Sequence, residues 1–335
     1  MESNFLELLL TFIVSLGTAL ALTPWMARTA KNIGMVDRPD GGLKIQHEPV
    51  PYMGGLAVFV AFLIGFSPFY ELDRQTLAIL LGGTLIVLLG FLDDIGNLRP
   101  ATKLLGQALA VLIVMKAGIA IKIVFLPPVI TYPLSFLWLM GMTNAFNIID
   151  IMDGLSSGVG AIACVFLFMV ALSSGQAGVA HMILALLGAL IGFLRFNYQP
   201  ARIYLGDAGS LFIGFMLGAL SMVGIYAKTN PVAVLAPVLI MGVPIFDTMF
   251  VMTVRWMRGL NPLKGSPDHF ALRLRKWRLT LAQTVLLSYG VSFLLGTFAL
   301  VMVYGSQRVA TGVLFTVSLC LMLSALWLRK IDMNI

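Results

Sequence analysis

The sequence predicts an all-α, polytopic integral membrane protein of about eleven transmembrane helices, or about ten if one proline-interrupted run does not cross. Its polar chemistry would gather in a cleft on one face of the bilayer. Two observations predict this class. The 335 residues are 59% hydrophobic and only 11% charged, against roughly 25% charged in a soluble domain, and the mean hydropathy is +0.96. The ionisable residues are also confined to short segments between apolar runs of crossing length.

The runs follow in order. The first, 5–23, comes after Glu2 with no basic stretch, so it reads as a span and not as a cleaved signal peptide. Runs at 52–70 and 76–91 come next, the latter ending on Asp93 and Asp94. Pro127, Pro128 and Pro133 interrupt the region between 104–121 and 131–147. Four more runs, 154–173, 178–194, 208–226 and 232–252, lead to a polar, basic loop at 253–280, and the last two are 281–303 and 308–328. The whole chain, 1–335, is expected to form one transmembrane domain. Cys164 and Cys320 both lie in apolar runs, which leaves neither a disulfide framework nor a cysteine metal cluster.

Charge sets the orientation. With the loop after the first run placed in the cytoplasm, only five of the 22 basic residues (Arg74, Lys116, Lys122, Lys228 and Arg308) fall on the other side. The positive-inside rule then puts the N-terminus outside and the C-terminus inside. The formal net charge of +7 follows from this asymmetry, and nucleic-acid binding is not needed to explain it. Four of the fifteen acidic residues, Glu2, Glu7, Glu71 and Asp73, lie outside, and the rest lie at the cytoplasmic face. A transporter needs polar groups and broken spans near the bilayer midplane. The runs carry almost nothing ionisable there, and His181, near the outer end of its run, reads as structural.

Four polar constellations collect at the cytoplasmic face. Asp93 and Asp94 precede Lys103; carboxylates at a helix C-terminus oppose the macrodipole and repel each other unless a divalent metal or the lysine compensates. In "NAFNIIDIMDGL", Asn144, Asn147, Asp150 and Asp153 recur every three residues, which places them near one face if the segment stays helical. Their oxygens suit Mg²⁺ or sugar and base edges. In "PARIYLGDAGSLFIG", Arg202 and Asp207 precede a small-residue turn that opens an apolar helix, where free N–H groups would attract an anion. The basic loop carries His269 beside Asp268, with Arg273 and Arg275 following. Together these suit Mg²⁺-dependent phosphoryl transfer between a soluble anionic nucleotide and a membrane-resident acceptor.

Five stretches, "DRPDGGLKIQHEPVPYMGG" (37–55), "GFLDDIGNLRPATKLLGQ" (90–107), "NAFNIIDIMDGL" (144–155), "FNYQPARIYLGDAGS" (196–210) and "VPIFDT" (243–248), occur in this order. With them the chain resembles the polyprenyl-phosphate N-acetylhexosamine-1-phosphate transferases along nearly its whole length. The resemblance implies transfer of a sugar-1-phosphate from a UDP-N-acetylhexosamine to undecaprenyl phosphate, with release of UMP. It implies Mg²⁺, with Mn²⁺ as a substitute, in a multi-pass protein of the bacterial inner membrane that associates with lipids and forms homodimers in relatives. By position, Asp207 matches the metal ligand, Asn147 a residue beside it, and Asp93 and Asp94 the essential pair that would share metal binding. Lys103 matches a phosphate-binding lysine, and Asp150 and Asp153 line the nucleotide-sugar site. Lys44, His47, Asn144 and Arg202 fall in matched stretches as further substrate contacts.

Two departures bear on the substrate. The family's later loop usually clusters histidines, whereas this chain has His269 alone in "SPDHFALRLRKW", so Arg273 or Arg275 would take over part of the diphosphate binding. "DIMDGL" stands where the muramoyl-pentapeptide branch usually reads "DGLDGL", which favours a simple UDP-N-acetylhexosamine. That branch, and a membrane transporter, are the alternatives.

Overall fold

The computed structural model describes residues 5–38, 49–69, 73–96, 98–123, 126–226, 230–262, 265–331 and 333. The chain folds as two compact units, Met1–Gly224 and Ile225–Ile335. In the first, helix α1 (Phe5–Asn32) leads to a short antiparallel pair, β1 (Val36–Asp37) and β2 (Val50–Pro51), with Val36 opposite Pro51. The helices α2 (Gly54–Phe66), α3 (Arg74–Gly96), α4 (Pro100–Lys116), α5 (Pro128–Ile149), α6 (Leu155–Ser173), α7 (Ala177–Asn197) and α8 (Gly206–Val223) follow. In the second unit are α9 (Ala236–Ile240), α10 (Gly242–Met257), α11 (Phe270–Lys276), α12 (Leu281–Tyr304) and α13 (Gln307–Arg329).

Helix α8 is the most buried of the long helices and packs against α2, α3 and α5. Small residues let backbones meet there, as they do between helices in lipid. A Cβ placed on Gly55 would lie 2.1 Å from Gly209 N, and one on Gly90 would lie 2.5 Å from Ala208 Cα. Helices α2 and α3 thus both touch the first turn of α8 through bare backbone. Phe62, Phe212 and Phe215, all fully buried, fill the space further along. His181 is buried, and its Nδ1 pairs with Thr11 Oγ1 at 2.8 Å, as its structural reading requires.

Each expected run overlaps helix among the described residues. Seven helices, α1, α3, α6, α7, α8, α12 and α13, have the length and apolarity that crossing requires. An eighth crossing results if the two arms of a bent pair count as one. Among the described residues α2, α4 and α5 fall short. Helix α2 has 13 residues, about 20 Å of rise against a hydrocarbon core of about 30 Å. Helix α4 has 17 residues, and α5 carries Pro133, Asn144 and Asn147.

The expected straight span at 232–252 is broken: Pro231–Ile240 and Gly242–Met257 meet at 76°. Pro244, in the first turn of α10, has no N–H to carry the helical ladder across Met241. A broken helix is therefore present, and only the placement of the ionisable groups still argues against a transporter.

The contact between Gly90 and Ala208 generates a prediction. Gly90→Val should lower the melting temperature in detergent, with an overpacking cost of about 1–3 kcal/mol. Gly141→Ala, where nothing stands within 4 Å, should leave it unchanged or raise it.

Candidate active site

The first unit brings the ends of α3, α4, α5 and α8 together. Asp94 does not stop its own helix. Its carboxylate accepts the backbone N–H of Asp207 at 2.8 Å and of Ala208 at 3.1 Å, so it caps α8 from a neighbouring helix. The approach of Gly90 to Ala208, one turn earlier in α3, makes that reach possible. Gly206, which opens α8 at φ +72°, has no room for a side chain, because a Cβ would lie 2.7 Å from Asp94 Oδ2. The helix N-terminus expected to await an external anion therefore already holds a carboxylate. The expected small-residue turn is itself the first turn of α8, which begins at Gly206.

Asp93 faces the other way. One oxygen accepts the N–H of Leu98 at 2.6 Å and the other meets Lys103 Nζ at 2.8 Å. Lys103 Nζ also donates to Asp207 Oδ2 and, at 3.4 Å, to Asn147 Oδ1. Asn147 Nδ2 in turn donates to Asp207 Oδ1 at 2.8 Å and to Ser210 Oγ at 2.9 Å. One ammonium group thus gathers two carboxylates and an amide oxygen from α3, α5 and α8. Asn144, one turn before Asn147, forms a reciprocal amide pair with Gln107 at 2.7 and 3.2 Å, which ties α5 to α4.

The helix that was to carry all four residues of "NAFNIIDIMDGL" ends at Ile149. Asp150 and Asp153 lie in the turn that follows, which Gly154, at φ +75°, closes into α6. Asp153 Oδ2 accepts the N–H of Ala201 at 2.9 Å and so holds the segment before α8. Asp150 has no hydrogen-bond partner for its carboxyl among the described residues. Its enclosure, and then the charges of Asp207, Asp94 and Asp153, push its pKa well above the ordinary carboxylate range. Arg202 is exposed. Lys44 and His47 lie outside the described residues.

In the second unit, His269 Nδ1 meets Asp247 Oδ2 at 2.6 Å, and Asp247 Oδ1 accepts the N–H of Phe270 at 2.9 Å. Arg273 is fully buried. Its guanidinium donates to Asp268 at 2.6 Å and to the carbonyls of Leu328 and Ile331 at 3.1 and 2.7 Å, which fastens the end of α13. Burial raises the pKa of Asp268, but bonds from Ser266 and Arg273 and the charges of Arg258 and Arg273 outweigh it and hold the pKa low. Arg275 is half-buried.

Sequence reasoning assigned no role to Gln107, Ser210 or Asp247. Gln107 lies one turn after Lys103, on the same face of α4, and Asp247 is a lone acid inside an apolar run; both signals were available. Among the described residues no group of three or more His, Cys, Asp or Glu side chains stands ready as a metal cage. The oxygens of Asp93, Asp207 and Asn147 are nonetheless hard donors already turned toward one cation, the Lys103 ammonium. That donor chemistry suits Mg²⁺, which takes few protein ligands and keeps water or phosphate for the rest.

Asp150 has a consequence for pH. A carboxyl whose pKa rises on folding contributes its stability below the unfolded value, near 3.9, and loses it as pH climbs through the folded value. In divalent-free buffer, the melting temperature of Asp150→Asn relative to the parent should therefore increase between pH 5 and pH 8. A difference independent of pH would contradict this account of Asp150.

Comparison with known proteins gives the same arrangement a family. Residues 76–225, which run from α3 past the end of α8, match the model of glycosyl transferase family 4. A probable undecaprenyl-phosphate N-acetylglucosaminyl 1-phosphate transferase of Bacillus subtilis is 35% identical over 90% of this chain and 87% of its own. A decaprenyl-phosphate N-acetylglucosaminephosphotransferase of Mycolicibacterium smegmatis is 30% identical over 80% of this chain and 75% of its own. A phospho-N-acetylmuramoyl-pentapeptide-transferase of Carboxydothermus hydrogenoformans is 29% identical over 81% of this chain and 90% of its own. The chain belongs to glycosyl transferase family 4.

Proposed function

We propose that the protein transfers N-acetylhexosamine-1-phosphate from a UDP-sugar, with UDP-N-acetylglucosamine as the first choice, to undecaprenyl phosphate, releasing UMP. The observation that carries this reading is the convergence of Asp93, Asp207 and Asn147 on Lys103 in a chain with family 4 relatives that act on polyprenyl phosphates. The setting is the bacterial inner membrane, with the N-terminus outside and the site at the cytoplasmic face, as the basic loops favour.

In this reading a phosphate oxygen of the lipid attacks the sugar-side phosphorus, the bond to the UMP oxygen breaks, and UMP leaves. Both reactants are anions, and the site itself carries more carboxylates than cations. Lys103 alone therefore leaves repulsion to overcome. Mg²⁺ held by Asp207 with Asn147 and Asp93 would supply the missing positive charge. Asp94 serves that group from behind, through the start of α8 that carries Asp207. Both oxygens of Asp93 and both of Asp94 accept bonds, which suits holding and orienting more than proton abstraction. A phosphate monoester is also mostly a dianion at pH 7, its second pKa being near 6, so little base catalysis is required. Asp150 and Asp153 would face the nucleotide sugar. Lys44, His47 and Arg202 would add contacts to its diphosphate, whereas within the second unit His269 pairs with Asp247 and the guanidinium of Arg273 is spent on Asp268 and the end of α13.

The test is UMP release by purified protein supplied with undecaprenyl phosphate and a panel of UDP-sugars. Asp207→Asn should lose about 10²-fold or more of the rate while still folding and inserting. Retained activity with unchanged Mg²⁺ dependence would sink the assignment. UMP release without lipid acceptor would point instead to a covalent aspartyl intermediate. A preference for the UDP-muramoyl-pentapeptide would move the chain to the peptidoglycan branch, and substrate accumulation in proteoliposomes with no UMP release would restore the transporter.

A further inference from the structure

The end of the second unit where α10, α11 and α13 finish and α12 begins carries groups that the proposed reaction does not use. Three of the five tryptophans lie there, Trp256, Trp277 and Trp327, with 73%, 54% and 41% of their surface exposed. The rings of Trp277 and Trp327 meet edge to face at 5.0 Å, and Arg329 Nη1 reaches Met257 Sδ at 3.4 Å. Arg275 and Arg278 flank Trp277 at the end of α11, and Arg329 and Lys330 follow Trp327 at the end of α13. The described acids of this unit are committed elsewhere, Asp247 to His269 and Asp268 to Arg258 and Arg273. None of the four basic residues enters an ion pair among the described residues.

The backbone adds an independent observation. Helix α11 closes with the N–H of Arg278 on Arg275 O at 3.0 Å and the N–H of Leu279 on Leu274 O at 3.2 Å, the paired bonds of a Schellman end. Arg278 sits at φ +87°, the position that glycine ordinarily takes. The fold keeps a cation where glycine would be less strained, and a retained strain of this kind points to a function.

We infer that Trp277 and Arg278, flanked by Arg275 and Arg329, form a site for the phosphate headgroup of an anionic membrane phospholipid other than the transferred lipid. Helices α12 and α13 both have crossing length and pack together, so their shared end stands at a membrane boundary. Tryptophan favours that depth, and unpaired basic residues there attract anionic lipid. A zwitterionic headgroup carries its own cation and gains less.

The experiment uses the full chain in phosphatidylcholine nanodiscs, doped with phosphatidylglycerol or phosphatidylcholine brominated in the acyl tails, and reads tryptophan quenching. Brominated phosphatidylglycerol should quench at a several-fold lower mole fraction than brominated phosphatidylcholine. Arg278→Gln should lose that excess. Arg278→Gly should lose it too while raising the melting temperature by roughly 2–4 °C, and both variants should keep their rate of UMP release in neutral detergent. Equal quenching by the two lipids, an excess that survives in both variants, or a lowered melting temperature in Arg278→Gly would overturn the site. Relief of quenching by millimolar glycerol phosphate would overturn it as well, since a soluble anion would then suffice.

Discussion

The candidate site depends on one ammonium group. Lys103 stands between Asp93 and Asp207 and faces the amide oxygen of Asn147, so three helices meet over a single positive charge. Without it, two carboxylates at a membrane boundary would repel each other where the dielectric is low. With it they are held close, their oxygens turned inward, in the arrangement that two anionic substrates and a divalent ion would need. The ammonium group thus holds in the resting structure the charge pattern that the proposed reaction uses.

The backbone contacts around α8 bring those groups within reach. Gly55 and Gly90 let α2 and α3 settle on the first turn of α8, and Asp94 then caps that turn. The cap has two consequences. It satisfies two N–H groups that would otherwise be unbonded, and it fixes the direction in which Asp207 projects. A carboxylate that does not itself meet Lys103 can therefore matter as much as one that does. The second unit repeats the device on a smaller scale: Asp247 holds His269 and the start of α11, and Arg273 holds the end of α13.

The class of fold was legible because apolarity is additive along the chain: long runs such as 178–194 and 281–303 need no partner to be recognised. Helices α4 and α5 read less clearly because prolines interrupt the region between them, and the run at 52–70 read as longer than the 13 residues of α2. The break at Met241 was present in the sequence as Pro237, Gly242 and Pro244, but high hydropathy concealed it. At the site, the polar residues announced themselves by being out of place. Their partners did not, because pairing is a long-range property. Nothing in the sequence distinguished Asp94, a cap for a helix more than a hundred residues later, from Asp93, its neighbour on Lys103. By spacing alone Asn144 and Asn147 are equivalent, yet one ties α4 to α5 while the other reaches Asp207. Arg273 was expected to share in diphosphate binding, whereas it is internal.

The most direct test of the central claim is a double-mutant cycle on Lys103 and Asp207, read by denaturation in detergent without divalent ions. Removing one partner of an enclosed pair leaves the other charge uncompensated, whereas removing both does not. Lys103→Met and Asp207→Asn should each lower stability, and the double variant should regain a large part of the summed loss. Losses that simply add would show that the lysine does not hold the site together.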